Sequence, residues 1–423
     1  MDRSSVVYKT YLDILEKELV PAMGCTEPIA IAYCAAIARD TLGKLPERVE
    51  VVASGNIIKN VKSVVVPNTD GRRGVSAAAA IGIIAGNPDK GLEVIAAVSA
   101  GDKAALENYI SATPIILKAA ESELPLDITV NVAAGEDTAS VHIINHHTGL
   151  ARIEKNGELL FEDEPVSPAS LVGLDYEALS VEGIYDFACS LDVQDVRALF
   201  DRQVKYNCAI AEEGLKGDYG ANIGKVLLIN GGDVHTLARA KAAAASDARM
   251  GGCELPVIIN SGSGNQGITV SVPVVEYSME LGINGEKLYR ALAVSNLIAI
   301  HLKHGIGRLS AFCGAVSAGA AASAAISYLK GGNLDTISHA IVNTLAVSSG
   351  MVCDGAKPSC AAKIAVAVDC GLLAMEMYEE GQQFFGGDGI VLKGVENTIK
   401  NINVLGKEGM RETDRTIIDL MTR

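Results

Sequence analysis

The chain has no tryptophan, and its aromatic residues make up only 4% of 423 positions. A platform of rings for stacking nucleic-acid bases is therefore not expected. Basic charge is scarce too: 36 Lys and Arg stand against 51 Asp and Glu, for a net charge of -15. An acidic surface without a basic stripe argues against nucleic acid and anionic membranes as partners. No stretch is apolar in the manner of a bilayer span. The longest uncharged segment, Ser310 to Leu329, is built of Ala, Gly and Ser. It reads as a helix packed at close range among other helices. The first 19 residues carry charge throughout, with no apolar core or small-residue cleavage site of a secretory leader. Nine cysteines, an odd number, in such a chain point to a reducing cytoplasm, where thiols are core filler or metal ligands. Nucleotide signatures are missing as well. Gly220–Val226 has the wrong spacing for a phosphate-binding P-loop, no GxGxxG follows a strand, and no HExxH occurs.

What is present is a core: 49% of residues are hydrophobic, and 43 glycines imply close helix packing or many tight loops. The pattern predicts an α+β chain in two parts. Residues 1–165 read as a mixed α/β domain built partly by the first helices, and residues 166–423 as a mostly helical domain. In the first part, helices are expected over 8–41, near 74–85 and over 102–120. Strands are expected at 49–56, 63–67, 126–132 and 139–145, with a hairpin turn at Asn156-Gly157. Asp163–Pro168 reads as a linker. Beyond it β-branched runs fade, and a long amphipathic helix over 196–215 leads a series of helices to the C-terminus.

Several polar or sulfur-bearing segments interrupt this scaffold. Met23–Pro28 joins the first two helices, with Thr26 as the expected cap and Pro28 in the first turn. Cys25 then lies at a helix N-terminus, whose partial positive charge favours a thiolate. Asn260–Gly267 is a Gly-rich polar turn suited to a carboxylate or phosphate. Ser54–Asn56 and Pro67–Gly74 are further polar loops at strand ends. Cys313 opens a Gly-rich helix, and Cys353 and Cys360 frame a short Gly/Pro loop. Three thiols so arranged suit a cluster, although the spacing alone leaves metal binding open. Cys34, Cys189, Cys208 and Cys370 read as packing residues and Cys253 as ambiguous. His146-His147 reads as solvated, and His301 with His304 as a structural pair on one helix face.

Met23-Gly-Cys-Thr-Glu-Pro28, Ser261-Gly-Ser-Gly-Asn-Gln-Gly267, Phe312-Cys-Gly314 and the Cys353–Cys360 loop together resemble the L-cysteine desulfidase family. That family is similar to the α chain of iron–sulfur L-serine dehydratases. The resemblance covers essentially the whole chain, and the short Cys353-Asp354-Gly355 loop favours its desulfidase branch. It implies a [4Fe–4S] cluster, with Cys313, Cys353 and Cys360 as ligands in the second domain, and β-elimination from a small amino acid. L-Cysteine would give sulfide, pyruvate and ammonia; L-serine with the same cluster is the alternative. Cys25 matches the family's essential N-terminal cysteine and is expected to transfer the proton. Ser54, Asn56, Ser261, Ser263 and Asn265 are expected to hold the substrate. A pyridoxal-phosphate eliminase fits less well, because its lysine segment and glycine run are absent. A non-catalytic binding module would need no poised fourth cysteine. The Ala/Gly-rich helical surface is compatible with a homodimer.

Overall fold

The computed structural model describes residues 1–163 and 174–422. The expected linker beyond Asp163, and with it the domain boundary near 165, lies outside the described residues.

The first part is organised around one six-stranded sheet. Its strands are β2 (Arg48–Ala53), β3 (Ile115–Ala119), β4 (Asp127–Ala134), β5 (Asp137–Ile144), β6 (Leu150–Lys155) and β7 (Glu158–Glu162), in the order β3-β2-β4-β5-β6-β7. Only β2 and β3 run parallel. Alternation sets the inner face: Val49, Val51 and Ala53 of β2, with Ile128, Val130 and Val132 of β4, are all buried. The helix Thr26–Leu42 packs on this face, and Gly74–Ala85 packs on that helix. Asn156 and Gly157 take φ of 52° and 81° between β6 and β7, the left-handed pair that a two-residue hairpin requires.

Three expectations change. Residues 63–67 form no strand beyond a single bridge from Val65 to Arg73. Val64 and Val66 are fully buried, so this β-branched run serves packing rather than a ladder. The helix expected over 102–120 stops at Ala112, and Ile115–Ala119 becomes the edge strand β3. Finally, β1 (Pro21–Met23) pairs antiparallel with β8 (Pro256–Ile258), a short ribbon joining distant parts of the sequence.

The second part is helical, and β8 is the one strand among the described residues 174–422. Val193–Lys216, Val234–Met250, Gly264–Glu280, Glu286–Ile306, Gly314–Leu329, Leu334–Ser348 and Ser359–Glu379 form the bundle. Gly314–Leu329 lies at its centre, buried at nearly every position. Among the described residues no helix is long and apolar enough to cross a membrane. The N-terminal helix Val6–Glu18 sits on the bundle. The rings of Tyr8 and Tyr11 meet Phe187 in tilted contacts, centroids 5.0 and 5.3 Å apart, and the Tyr8 hydroxyl donates to Asp195 at 2.7 Å. One continuous apolar core runs through both parts.

Candidate functional site

The β1–β8 ribbon brings two helix starts together. After β1 the chain turns through Gly24 and enters Thr26–Leu42 at Cys25; after β8 it turns through Asn260–Ser263 and enters Gly264–Glu280. Cys25, not Thr26, is the N-cap, and its side chain caps nothing. Thr26 Oγ1 instead donates to Gly262 O at 3.0 Å, tying the two turns to each other. In the second turn Ser261 and Gly262 are both left-handed, with φ of 50° and 79°. Ser261 bears the strain of that region, which non-glycine residues rarely occupy. Reciprocal backbone bonds between Asn260 and Ser263 close the turn, and Asn260 is held by Asn296 at 3.0 Å. Ser263 caps the following helix through Gln266 N.

Cys25 does not have the electrostatics that its helix position suggests. It is 3% exposed, and its thiol donates to Glu27 Oε2 at 2.9 Å. Burial first, and then the Glu27 carboxylate, push the thiol well above its ordinary value. Arg249 pulls the other way but does not prevail. Desolvation and an adjacent anion outweigh the helix terminus, so Cys25 rests as a thiol. Glu27 is its counterpart. Burial opposes its charge, yet His147 close beside it, together with the Cys25 thiol, holds the carboxyl at about 2. Asn60 Nδ2 also donates to Glu27 Oε1 at 3.0 Å, and His147 Nε2 stands 3.9 Å from the same oxygen.

The other cysteines arrive from the bundle. Cys313 is the N-cap of Gly314–Leu329, and Cys360 lies in the first turn of Ser359–Glu379. A bridge between Phe312 and Val352 pulls their loops together: Cys313 N donates to Met351 O at 3.1 Å and Cys353 N to Ala311 O at 2.6 Å. Cys25, Cys313, Cys353, Cys360, Ser261, Ser263 and Asn265 all line one cavity of about 110 Å³. That is smaller than the roughly 300–1,000 Å³ typical of drug-sized ligands, and suits a small molecule.

Among the described residues no three His, Cys, Asp or Glu side chains form a group that could hold a single metal ion. Burial, then the neighbouring Cys353, push Cys313 up to about 12, and burial likewise raises Cys360. These thiols keep their protons unless a cation takes their place. A cluster nevertheless fits the donor set. Lys303 is 4% exposed, has no carboxylate partner among the described residues, and interacts with Cys313 and Cys353. Burial pulls the Lys303 pKa down while Cys353 and Cys313 push it up, so an anionic iron–thiolate group beside it would favour its charged form.

Polar groups around the same cavity are left unsatisfied. Of twelve buried side-chain atoms without a hydrogen-bond partner among the described residues, four line it: Asn60 Oδ1, His147 Nε2, Arg249 Nε and Gln266 Nε2. Such atoms are rare in a folded core, and their concentration here marks a polar ligand site.

Ser54 and Asn56 lie elsewhere. Ser54 Oγ donates to Pro125 O at 2.7 Å, and Asn56 Nδ2 to Asp414 Oδ2 at 2.8 Å. Both line an adjoining cavity of about 1240 Å³ that shares Ser261, Lys303, Arg308 and Ser310 with the smaller one. The Pro67–Gly74 loop lies outside the smaller cavity; Asn68 and Thr69 spend their side chains on backbone carbonyls. His301 bonds Glu396 at 2.9 Å and His304 stacks on Tyr176, so both are structural. Cys34 is buried as expected, whereas Cys189 is exposed and Cys208 and Cys370 are half-buried.

Sequence reasoning missed Glu27, Asn60, His147, Arg249 and Lys303. His147, expected in solvent, is 6% exposed, because the turn after β5 folds back onto the helix starts. Glu27 was visible beside Cys25, but nothing in the sequence says that a carboxylate two positions on accepts the thiol proton. The buried lysine and arginine sit in helical segments that look amphipathic.

The family model of the serine dehydratase alpha chain matches residues 89–419. A UPF0597 protein of Desulfitobacterium hafniense (strain Y51) is 57% identical over 100% of this chain and 98% of its own length. Another, of Lachnoclostridium phytofermentans, is 50% identical over 98% of this chain and 100% of its own. A third, of Treponema denticola, is 48% identical over 100% and 99%. The shared cavity thus sits in a chain that belongs to the serine dehydratase alpha chain family, alongside the UPF0597 proteins.

Proposed function

We propose that the protein is a lyase that uses a [4Fe–4S] cluster to eliminate the β-substituent of a small amino acid, with L-cysteine as substrate and sulfide, pyruvate and ammonia as products. The observation that carries this reading is the single small cavity lined by Cys313, Cys353, Cys360, Cys25 and four unsatisfied polar side chains. Family membership supports the elimination chemistry, and the cavity's lining supports the substrate and the cluster.

Cys313, Cys353 and Cys360 would hold the cluster, with Lys303 balancing its charge. Bound in this way, a cluster with three protein thiolates leaves an iron free to act as a Lewis acid toward a leaving sulfur or oxygen. The chain itself must orient the amino acid and move one proton. Ser261, Ser263, Asn265 and Gln266 present polar groups at a helix N-terminus, a place that favours an anion. Cys25 Sγ is the proton-transfer atom. Because it rests as a thiol, its proton must leave before it can accept one from Cα. Glu27 accepts the thiol hydrogen bond at 2.9 Å and fixes Sγ in place, while His147 Nε2, unpartnered among the described residues and 3.9 Å from Glu27, is the base beside them that takes the thiol proton. Loss of the β-substituent leaves aminoacrylate, which hydrolyses to pyruvate and ammonia without further help.

L-Serine is the second reading, favoured by the family match. The thiol is preferred because Cys313, Ala315, Ala356, Cys360 and Ile364 make that side of the cavity apolar or sulfur-rich. A serine hydroxyl there would lose hydrogen bonds to water that a thiol scarcely makes. The test is anaerobic purification, iron and acid-labile sulfide analysis, and pyruvate assays on both amino acids. About four irons per chain and faster turnover of L-cysteine are expected. Iron-free protein, or no pyruvate from either substrate, refutes the proposal. Replacing Cys313, Cys353 or Cys360 singly by Ala should abolish the iron; full iron in any of the three removes that residue from the ligand set.

A further inference from the structure

Arg249 ends the helix Val234–Met250 and is 2% exposed. A guanidinium cannot shed its charge on burial, so it needs an anion or a full set of acceptors. Arg249 has neither. Its Nη1 donates to Asn265 Oδ1 at 3.0 Å, its Nε is buried without a partner, and no carboxylate pairs with it among the described residues. The side chain lines the small cavity together with Cys25 and Gln266, and its charge acts on the Cys25 thiol. Room for it is made by Gly264, where a Cβ would stand 2.3 Å from Nε and 2.7 Å from Cζ. Any other residue at 264 would displace the guanidinium.

We infer that Arg249 is the anchor for the α-carboxylate of the amino-acid substrate, an assignment that rests on the proposed elimination and fixes how the substrate lies. Two buried cations around the cavity have no carboxylate partner, and they face different groups. Lys303 interacts with the cysteines expected to hold the cluster, whereas Arg249 interacts with Cys25 and bonds Asn265. The arginine is therefore left for the second anion. A carboxylate accepts two guanidinium hydrogens in one plane, and Gln266 Nε2, also unsatisfied, supplies a further donor from the same wall. In the same cavity, Glu27 and Asn60 Oδ1 offer acceptors to the substrate ammonium. Held at both ends, the amino acid presents Cα to the region of Cys25.

The assignment is tested with the intact, anaerobically purified chain. L-Alanine carries the carboxylate and ammonium but no leaving group, so its binding needs no turnover; ethylamine is the same molecule without the carboxylate. By titration calorimetry, Arg249→Gln should weaken L-alanine by about 100-fold, the loss typical of truncating one partner of a buried charge pair, and leave ethylamine unchanged. Arg249→Lys should recover part of the loss, and iron content and melting temperature should match the wild type. Equal L-alanine affinity in wild type and Arg249→Gln overturns the assignment, as does no measurable binding to the wild type, or parallel loss of both ligands. Failure of the wild type to make pyruvate would refute the elimination, while the L-alanine comparison would still decide the role of Arg249.

Discussion

Replacing Cys25 by serine separates three roles that the sequence leaves together. The thiol is 3% exposed and donates to Glu27 Oε2 at 2.9 Å. A serine hydroxyl can make the same bond to the same carboxylate, and it is slightly smaller than the thiol. The expected change in folding stability is therefore within about 1 kcal/mol. Activity should respond quite differently. A hydroxyl is far too weak an acid to serve as a base near neutral pH, and positioned proton transfer contributes about 10²–10⁴-fold to rate. That corresponds to about 3–5 kcal/mol of barrier. The assay combines pyruvate formation, iron analysis and urea unfolding on one preparation. Unchanged iron, near-unchanged unfolding midpoint and at least a hundredfold loss of kcat are expected. Cys25→Ala should lose activity equally and cost about 1 kcal/mol more in stability, since Glu27 then loses the thiol donor and keeps Asn60. If Cys25→Ser loses its iron, Cys25 is a ligand; if it keeps turnover within tenfold, the proton-transfer argument is wrong.

Glu27 should leave a signature in acid. Its carboxyl is held at about 2 against an ordinary 4.5, so its contribution to stability is complete above pH 4.5 and drains away as pH falls toward 2. The difference corresponds to about 3 kcal/mol, and Glu27→Gln should flatten the urea-unfolding profile across that window; an unchanged slope would contradict the assignment. Asp414, on the C-terminal helix Arg411–Thr422, accepts from Lys59 at 2.5 Å and from Asn56 at 2.8 Å, with Lys59 only 1% exposed. Asp414→Ala strands that lysine and should cost about 3–5 kcal/mol, with protease sensitivity appearing first in the last helix. A loss under 1 kcal/mol would mean that Lys59 finds water or another partner.

The helical half was legible because its pattern is long and periodic. The long helix expected over 196–215 spans Val193–Lys216, and the Ala/Gly/Ser run becomes the buried central helix Gly314–Leu329. The hairpin at Asn156-Gly157 was legible because that turn needs two left-handed residues. Failures came where tertiary contact overrides local preference. Residues 63–67 have strand composition but are consumed by packing, and β1 and β8 are each three residues long, too short to show any period. At the site, the cysteines and the Ser261–Gly267 turn stood out by type and spacing. Ser54 and Asn56 also looked right as a polar loop at a strand end. They in fact begin the short helix Gly55–Val61 and line the larger cavity, because Asp414 from the far end of the chain engages Asn56.

The groups that sequence reasoning missed share one property: each is a charged or polar residue whose burial, not identity, makes it informative. Leaving four buried polar atoms without partners costs about 1–3 kcal/mol each, a large share of the roughly 5–15 kcal/mol that holds a typical domain together. A chain selected for stability alone would place apolar residues at Asn60, His147, Arg249 and Gln266. The cost falls instead on one cavity, lined also by Cys313, Cys353 and Cys360. Lys303, Arg249 and Glu27 all line it. On the proposed reading, a zwitterion and an anionic thiolate centre would give these buried groups their partners. The proposed selectivity follows from the same groups, since a ligand lacking either the carboxylate or the ammonium would leave one of them unsatisfied.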